Sequence, residues 1–175
     1  MSGIIESTNM ASTHGAARIF DCVSNEVIEN GMVGGLNGLA DGMSHVYNFA
    51  KGTPENHIHV IVDQPAWSPD TTRIANQRRD KFTVPAGTVF RVRVLAVNDE
   101  FGLNIDAFTS DSKDAVKPGA YAVVDASGKF KAQAEKPESG SYCVITRERV
   151  MGSTLVTAAH TYGREAKLYE LRVVA

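Results

Sequence analysis

Residues 82–97 read FTVPAGTVFRVRVLAV, and this stretch decides the fold class. After Pro85-Ala86-Gly87, the residues Val89, Arg91, Arg93 and Leu95 alternate with Phe90, Val92, Val94 and Ala96. A period of two is the pleat of a β-strand with one face in a core. The expected buried face is Phe90, Val92, Val94 and Ala96. Arg91 and Arg93 are then expected on the exposed side, as candidate partner contacts.

Downstream the same pattern repeats. NDEFGLNIDAF (98–108), AYAVVDA (120–126), KFKAQA (129–134) and SYCVITRERVM (141–151) are short segments of strand composition, separated by turns at Lys117-Pro118-Gly119 and Ser127-Gly128. In the last segment Leu168, Glu170 and Arg172 alternate with Tyr169, Leu171 and Val173. Arg147, Glu148 and Arg149 alternate in sign, as residues do that guard a strand edge or join a rim of ion pairs. Short strands at this spacing with Gly and Pro turns indicate a barrel or sandwich.

Upstream, IFDCVS (19–24), EVIENGMVGGL (26–36) and ADGMSHVYNFA (40–50) read as strands and hairpins. Asn30-Gly31, Gly34-Gly35 and Asp41-Gly42 are expected to supply the positive φ of tight turns. HIHVIV (57–62) is a further strand. Between Pro65 and Lys81 the pattern lapses, which suggests a soft boundary near 65–81, with Asp70 capping a short helix over Thr71–Arg79. Residues 1–17 are small and polar, with Ile4, Ile5 and Met10 as isolated apolar points. Such a segment buries little surface against its ordering entropy, so it reads as an arm ahead of a body at 18–175: either a frayed terminus, or an extended arm that orders on a neighbouring subunit by docking Ile4, Ile5 and Met10. The expected class is therefore mainly β: a small β-barrel or sandwich with an extended N-terminal arm and at most one or two short helices.

The chemistry is sparse. A net charge of −2 over 175 residues gives no field to recruit nucleic acid or an anionic membrane. Cys22 and Cys143 stand far apart outside any CxxC pair and read as buried, reduced thiols. The N-terminal residues lack the pattern of a secretory signal, and no run approaches a membrane span. GMVGGLNGLADG (31–42) fits neither phosphate-loop spacing. His57 and His59 share a strand face but lack further ligands at metal-site spacing, no GxSxG elbow is present, and Asp99, Glu100, Asp111 and Asp114 read as turn residues. Arg73, Arg78, Arg79 and Lys81 form the one basic cluster, expected as a solvated face, with acidic groups of a partner protein as the second reading.

Taken in order, the polar arm, IFDCVS…NGMVGGL, VIVDQPAW, DKFTVPAGTVFRVRVL, NDEFGLNIDAF, KPGAYAVVDASGKFKA and GSYCVITRERV resemble the small decoration, or cement, proteins of tailed bacteriophage heads. The resemblance implies a non-enzymatic virion structural protein. Made in the host cytoplasm, it would bind the major capsid protein on the outer capsid surface as a homo-oligomer, a trimer by preference, and need no cofactor, nucleic acid or membrane. On that reading Ile4, Ile5, Met10, Arg78, Arg79, Arg91 and Arg93 are the candidate partner-binding residues. Two other readings stand beside it: a self-assembling tail-tube or head-tail component, and a ligand-binding β-barrel with one deep apolar pocket.

Overall fold

The alternation around Arg91 is one stave of a closed barrel. The computed structural model describes residues 2–13, 18–52, 59–65, 82–151, 155–156, 161–162 and 166–174. Its strands are β1 (Ile5–Asn9), β2 (Ile19–Val23), β3 (Ile28–Glu29), β4 (Val33–Leu39), β5 (Val46–Lys51), β6 (His59–Val62), β7 (Thr83–Val84), β8 (Phe90–Val94), β9 (Glu100–Asn104), β10 (Tyr121–Val124), β11 (Phe130–Gln133), β12 (Tyr142–Met151), β13 (Leu155–Val156), β14 (Thr161–Tyr162) and β15 (Ala166–Val173). The chain is mainly β, as its periodicity indicates; among the described residues there is no α-helix, and single 3-10 turns lie at Ala11–Thr13, Ile105–Ala107 and Lys113–Ala115.

The barrel closes in the order β2-β5-β4-β6-β8. Five staves cannot alternate direction around a ring, so one neighbouring pair must be parallel, and that pair is β2–β5. Inside lie Cys22, Phe49, Val60, Val62, Phe90 and Val92, with Phe49 and Phe90 edge to face at 5.4 Å. Each large apolar side chain hidden this way contributes about 1.5–3 kcal/mol. The short β3–β7 pair adds Ile28 and Val84 to the same core.

Gly34 and Gly35 are not turn residues, against the sequence expectation. They lie within β4, and a Cβ on Gly34 would sit 2.1 Å from the Ala50 carbonyl oxygen. Glycine is needed there because two backbones pass close, not for positive φ.

The second layer is a six-stranded antiparallel sheet, order β1-β9-β15-β12-β10-β11. One face supplies Ile5, Phe101, Leu103, Phe130, Ile145 and Leu171 to a second core. Val33 and Ile61, which are paired across β4 and β6 and point out of the barrel, belong to this second core too. The barrel's outer wall is therefore covered by the sheet. The β10–β11 turn clasps the junction: Val33 N–H donates to the Gly128 carbonyl at 2.7 Å, and Lys129 Nζ meets Glu29 at 3.2 Å. The change from barrel to sheet falls between β8 and β9, at Leu95–Asp99. The boundary expected near 65–81 falls, beyond Pro65, outside the described residues, as does the Thr71–Arg79 helix.

Candidate contact surfaces

The N-terminal segment is a strand of its own chain. β1 pairs antiparallel with β9, aligning Ile5 with Leu103 and Glu6 with Gly102. Ile4, Ile5 and Met10 retain 4%, 2% and 1% exposure. The expectation of an arm extended toward a neighbouring subunit is corrected accordingly, because an edge strand supplies the backbone partners that three apolar residues alone lack. Ile4 N–H donates to Asn104 Oδ1 at 2.7 Å, Ala11 N–H to Asp99 Oδ1 at 2.7 Å, and Asn104 Nδ2 to the Ser2 carbonyl at 3.2 Å. Asp99, read from the sequence as a turn residue, is 3% exposed and also accepts from Ala96 N–H at 2.8 Å. Asn98 beside it takes φ 71°, a left-handed conformation that asparagine tolerates.

Arg93 holds this segment down. Its side chain, 13% exposed, forms an ion pair with Asp63, and its Nη1 donates to the Ser12 carbonyl at 3.2 Å. Ser7 Oγ donates to the same Asp63 carboxylate at 2.8 Å. The expectation of an exposed Arg93 is therefore corrected: the outward face of β8 looks onto the chain's own N-terminal segment. Arg91 is half-buried, its N–H bonded to Gln64 Oε1 at 3.0 Å. Arg78, Arg79 and the rest of the basic cluster lie outside the described residues.

The outer face of the sheet carries paired charge. Glu170, 7% exposed, sits between Arg147 and Arg149, the latter at 2.6 Å, and Arg149 reaches on to Glu6. Arg172 meets Glu100 at 2.6 Å and Lys167 meets Glu148 at 2.6 Å. The Arg172 hydrogen bond, with that from Asn9, holds the Glu100 carboxyl below its usual range. Glu170 in turn raises Arg147. The alternating signs of Arg147–Arg149 thus join a rim of ion pairs. A bulge between Ile145 and Arg147 swings both arginines onto the face of Glu170.

Apolar side chains are exposed at both ends of the barrel. At one end Val27 and Val89 are 54% and 41% exposed, on loops tied together by Gly87 N–H donating to the Ser24 carbonyl at 2.8 Å. At the other, the β4–β5 hairpin presents Leu39 and Met43, 52% and 42% exposed. Its backbone is ordered by Ala40 N–H to the Val46 carbonyl at 2.8 Å and Met43 N–H to the Ala40 carbonyl at 3.0 Å. Leu39 lies opposite Tyr47, whose ring meets Phe20 edge to face at 5.6 Å, so apolar surface runs from the barrel interior out to the hairpin.

Between barrel and sheet lies an open apolar groove of about 360 Å³, lined by His59, Leu95, Val97, Val124, Phe130 and Tyr142 among others. Burial lowers the pKa of His59. Cys143 also lines it, and burial pushes its thiol up to about 12. Cys22, in the barrel core, is likewise pushed to about 12 by burial, with the Asp21 charge adding to it. A second, polar cleft runs past Asp106, Asp111, Asp125, Lys113 and Lys129, where the lysines pair locally, Lys113 with Asp106 at 3.0 Å. Among the described residues no three His, Cys, Asp or Glu side chains converge as metal ligands would. His57 lies outside the described residues, so the His57/His59 pairing is not on view.

No protein-family model, no curated protein and no solved structure matches this chain.

Proposed function

We propose that this chain is a virion structural protein of the decoration type, which binds the outer surface of a phage head through the major capsid protein and stabilises the lattice without catalysis. The order of its segments supports the reading. The observation that carries it is the pair of exposed apolar contact points at opposite ends of a rigid barrel, Val27 with Val89 and Leu39 with Met43. A protein added to a finished lattice needs one face for the lattice and one for sister copies; side chains this apolar on ordered loops suit protein contact. The ion-paired sheet face is self-neutralised, which suits an outward, solvated side.

The test is addition of the purified protein to undecorated heads, with its stoichiometry to the major capsid protein measured by mass spectrometry. Saturable binding that Val27→Asp and Val89→Asp reduce is the expected result. A protein that ignores empty heads, and is missing from purified virions, refutes the proposal. Tubes or stacked rings formed by the isolated protein move the assignment to a tail-tube component.

A further inference from the structure

We propose that Asn37 is a self-modifying residue: the Gly38 backbone nitrogen attacks its side-chain amide, which is exchanged for a carboxylate within the folded protein. The reaction needs only this chain and water, so it holds whatever the protein assembles with.

Two asparagines in the sequence precede a glycine, Asn30 and Asn37, and the fold treats them oppositely. Glycine matters because its nitrogen, with no Cβ beside it, can be approached closely. Asn30 is 7% exposed and pinned through both atoms of its amide: Nδ2 donates to the Gln64 carbonyl at 2.8 Å, and Oδ1 accepts from Gln64 N–H at 2.9 Å. The nitrogen that would attack is engaged too, since Gly31 N–H donates to the Val62 carbonyl at 2.9 Å. A Cβ on Gly31 would lie 2.9 Å from Leu103 Cδ2, so a ring closing there also lacks room. Asn37 is exposed, and among the described residues its side chain has no hydrogen-bond partner. At Gly38, φ +70°, a Cβ would meet nothing within 4 Å. The pairs Leu36–Phe49 and Leu39–Tyr47 leave Asn37 and Gly38 together opposite Asn48, a bulge at which the ladder is locally disrupted.

The bond from Gly38 N to Asn37 Cγ forms as the Cγ–Nδ2 bond breaks. The Gly38 amide proton goes to solvent base, Nδ2 leaves as ammonia after taking a proton from solvent, and a five-membered succinimide remains. Water then opens the ring at one of its two carbonyls. Cleavage at Cγ leaves aspartate; cleavage at the main-chain carbonyl leaves isoaspartate, whose backbone runs through the side chain and is one methylene longer. The barrel survives either product, because β4 pairs with β6 over Val33–Gly35 and the altered peptide lies beyond it, at a bulge. Both products are acidic. They take the formal net charge from −2 to −3 and put a second carboxylate, with Asp41, on the hairpin that presents Leu39 and Met43.

The test is ageing of the purified full-length chain at neutral and mildly alkaline pH, folded and in guanidinium chloride. Tandem mass spectrometry that separates aspartate from isoaspartate reads each asparagine. Folded protein is expected to gain both acids at position 37, faster as pH rises because the attacking nitrogen must lose its proton. Asn30 should react at least about tenfold more slowly in the folded chain, since it must wait for local opening. In denaturant the two Asn-Gly pairs should react at similar rates. Asn37→Gln should remove the acidic species that ion exchange resolves from aged protein, with an unchanged melting temperature showing that the variant folds. Asn37 that reacts in denaturant but keeps its amide in the folded chain would overturn the proposal by showing that β4 protects it. Equal folded-state rates at Asn30 and Asn37, an acidic species that persists in Asn37→Gln, or isoaspartate confined to Asp41 would overturn it as well.

Discussion

Replacing Ile5 with alanine tests whether the N-terminal segment belongs to the body. Ile5 is 2% exposed, lies opposite Leu103 and belongs to the same core as Met10 and Phe101. Truncation removes transfer free energy and leaves a cavity, costing about 2–5 kcal/mol at a site this buried. With a urea slope of roughly 2–3 kcal/mol/M for a chain of this size, a mid-range loss lowers the unfolding midpoint by about 1.2–1.8 M. Ile4 and Met10 are buried to the same degree, so losing all three removes about 6–15 kcal/mol if the effects add, comparable with the whole stability of a domain. Deletion of residues 2–10 should therefore yield protein without a cooperative transition, whereas a free arm would come off without effect. Asn9→Ala is the control: Asn9 is exposed and its side chain makes a 3.2 Å bond to Glu100, so its stability should stay within about 0.5 kcal/mol of wild type. If Ile5→Ala and Asn9→Ala unfold together, the docked β1 is wrong.

Asp99→Ala leaves the Ala11 and Ala96 N–H groups without their acceptor, and should cost about 2–4 kcal/mol in chemical denaturation, with Asp99→Asn recovering part of it. His59 should titrate below 6.5 by NMR, because burial disfavours its charged form. A depressed pKa means that the unfolded chain binds more protons within the window between the two values, so His59 contributes stability above 6.5 that is lost as pH falls through its folded pKa. His59→Gln should flatten that step, and an unchanged acid limb would refute the assignment. Cys22 and Cys143, both pushed to about 12, should resist a thiol reagent at neutral pH in the native state and react once urea unfolds the chain; rapid native labelling would show that either core opens.

The inward face of β8 was legible because Phe90 and Val92 follow the pleat, and a two-residue period is a property of the backbone itself. The same period was legible in β15, where Tyr169, Leu171 and Val173 alternate with Leu168, Glu170 and Arg172; that the first set lies in the sheet core was decided by the structure. It overran at Phe82–Val97: the strand proper is Phe90–Val94, and Thr83–Val84 pairs separately with β3, since the turn at Gly87, φ +73°, breaks the run. Gly34-Gly35 was misread because glycine serves a turn and a close backbone approach equally, and the crowding atom, the Ala50 carbonyl oxygen, belongs to another strand. The hairpin with Leu39 and Met43 was legible as a hairpin through Asp41-Gly42, but its exposure was not.

By itself, then, the sequence determined the β class, the position of most strands and the inward residues Phe90 and Val92 of β8, since each follows from the local pleat and from turn chemistry. Only the tertiary structure decided what the outward faces meet. Arg93 alternates as a solvent residue would, yet its carboxylate partner lies 30 residues away and its backbone partner 81. Ile4 is anchored by Asn104, 100 residues further on. A pleat states which side chains share a face; whether that face meets water, a second sheet or the chain's own first strand depends on pairings that no local period encodes.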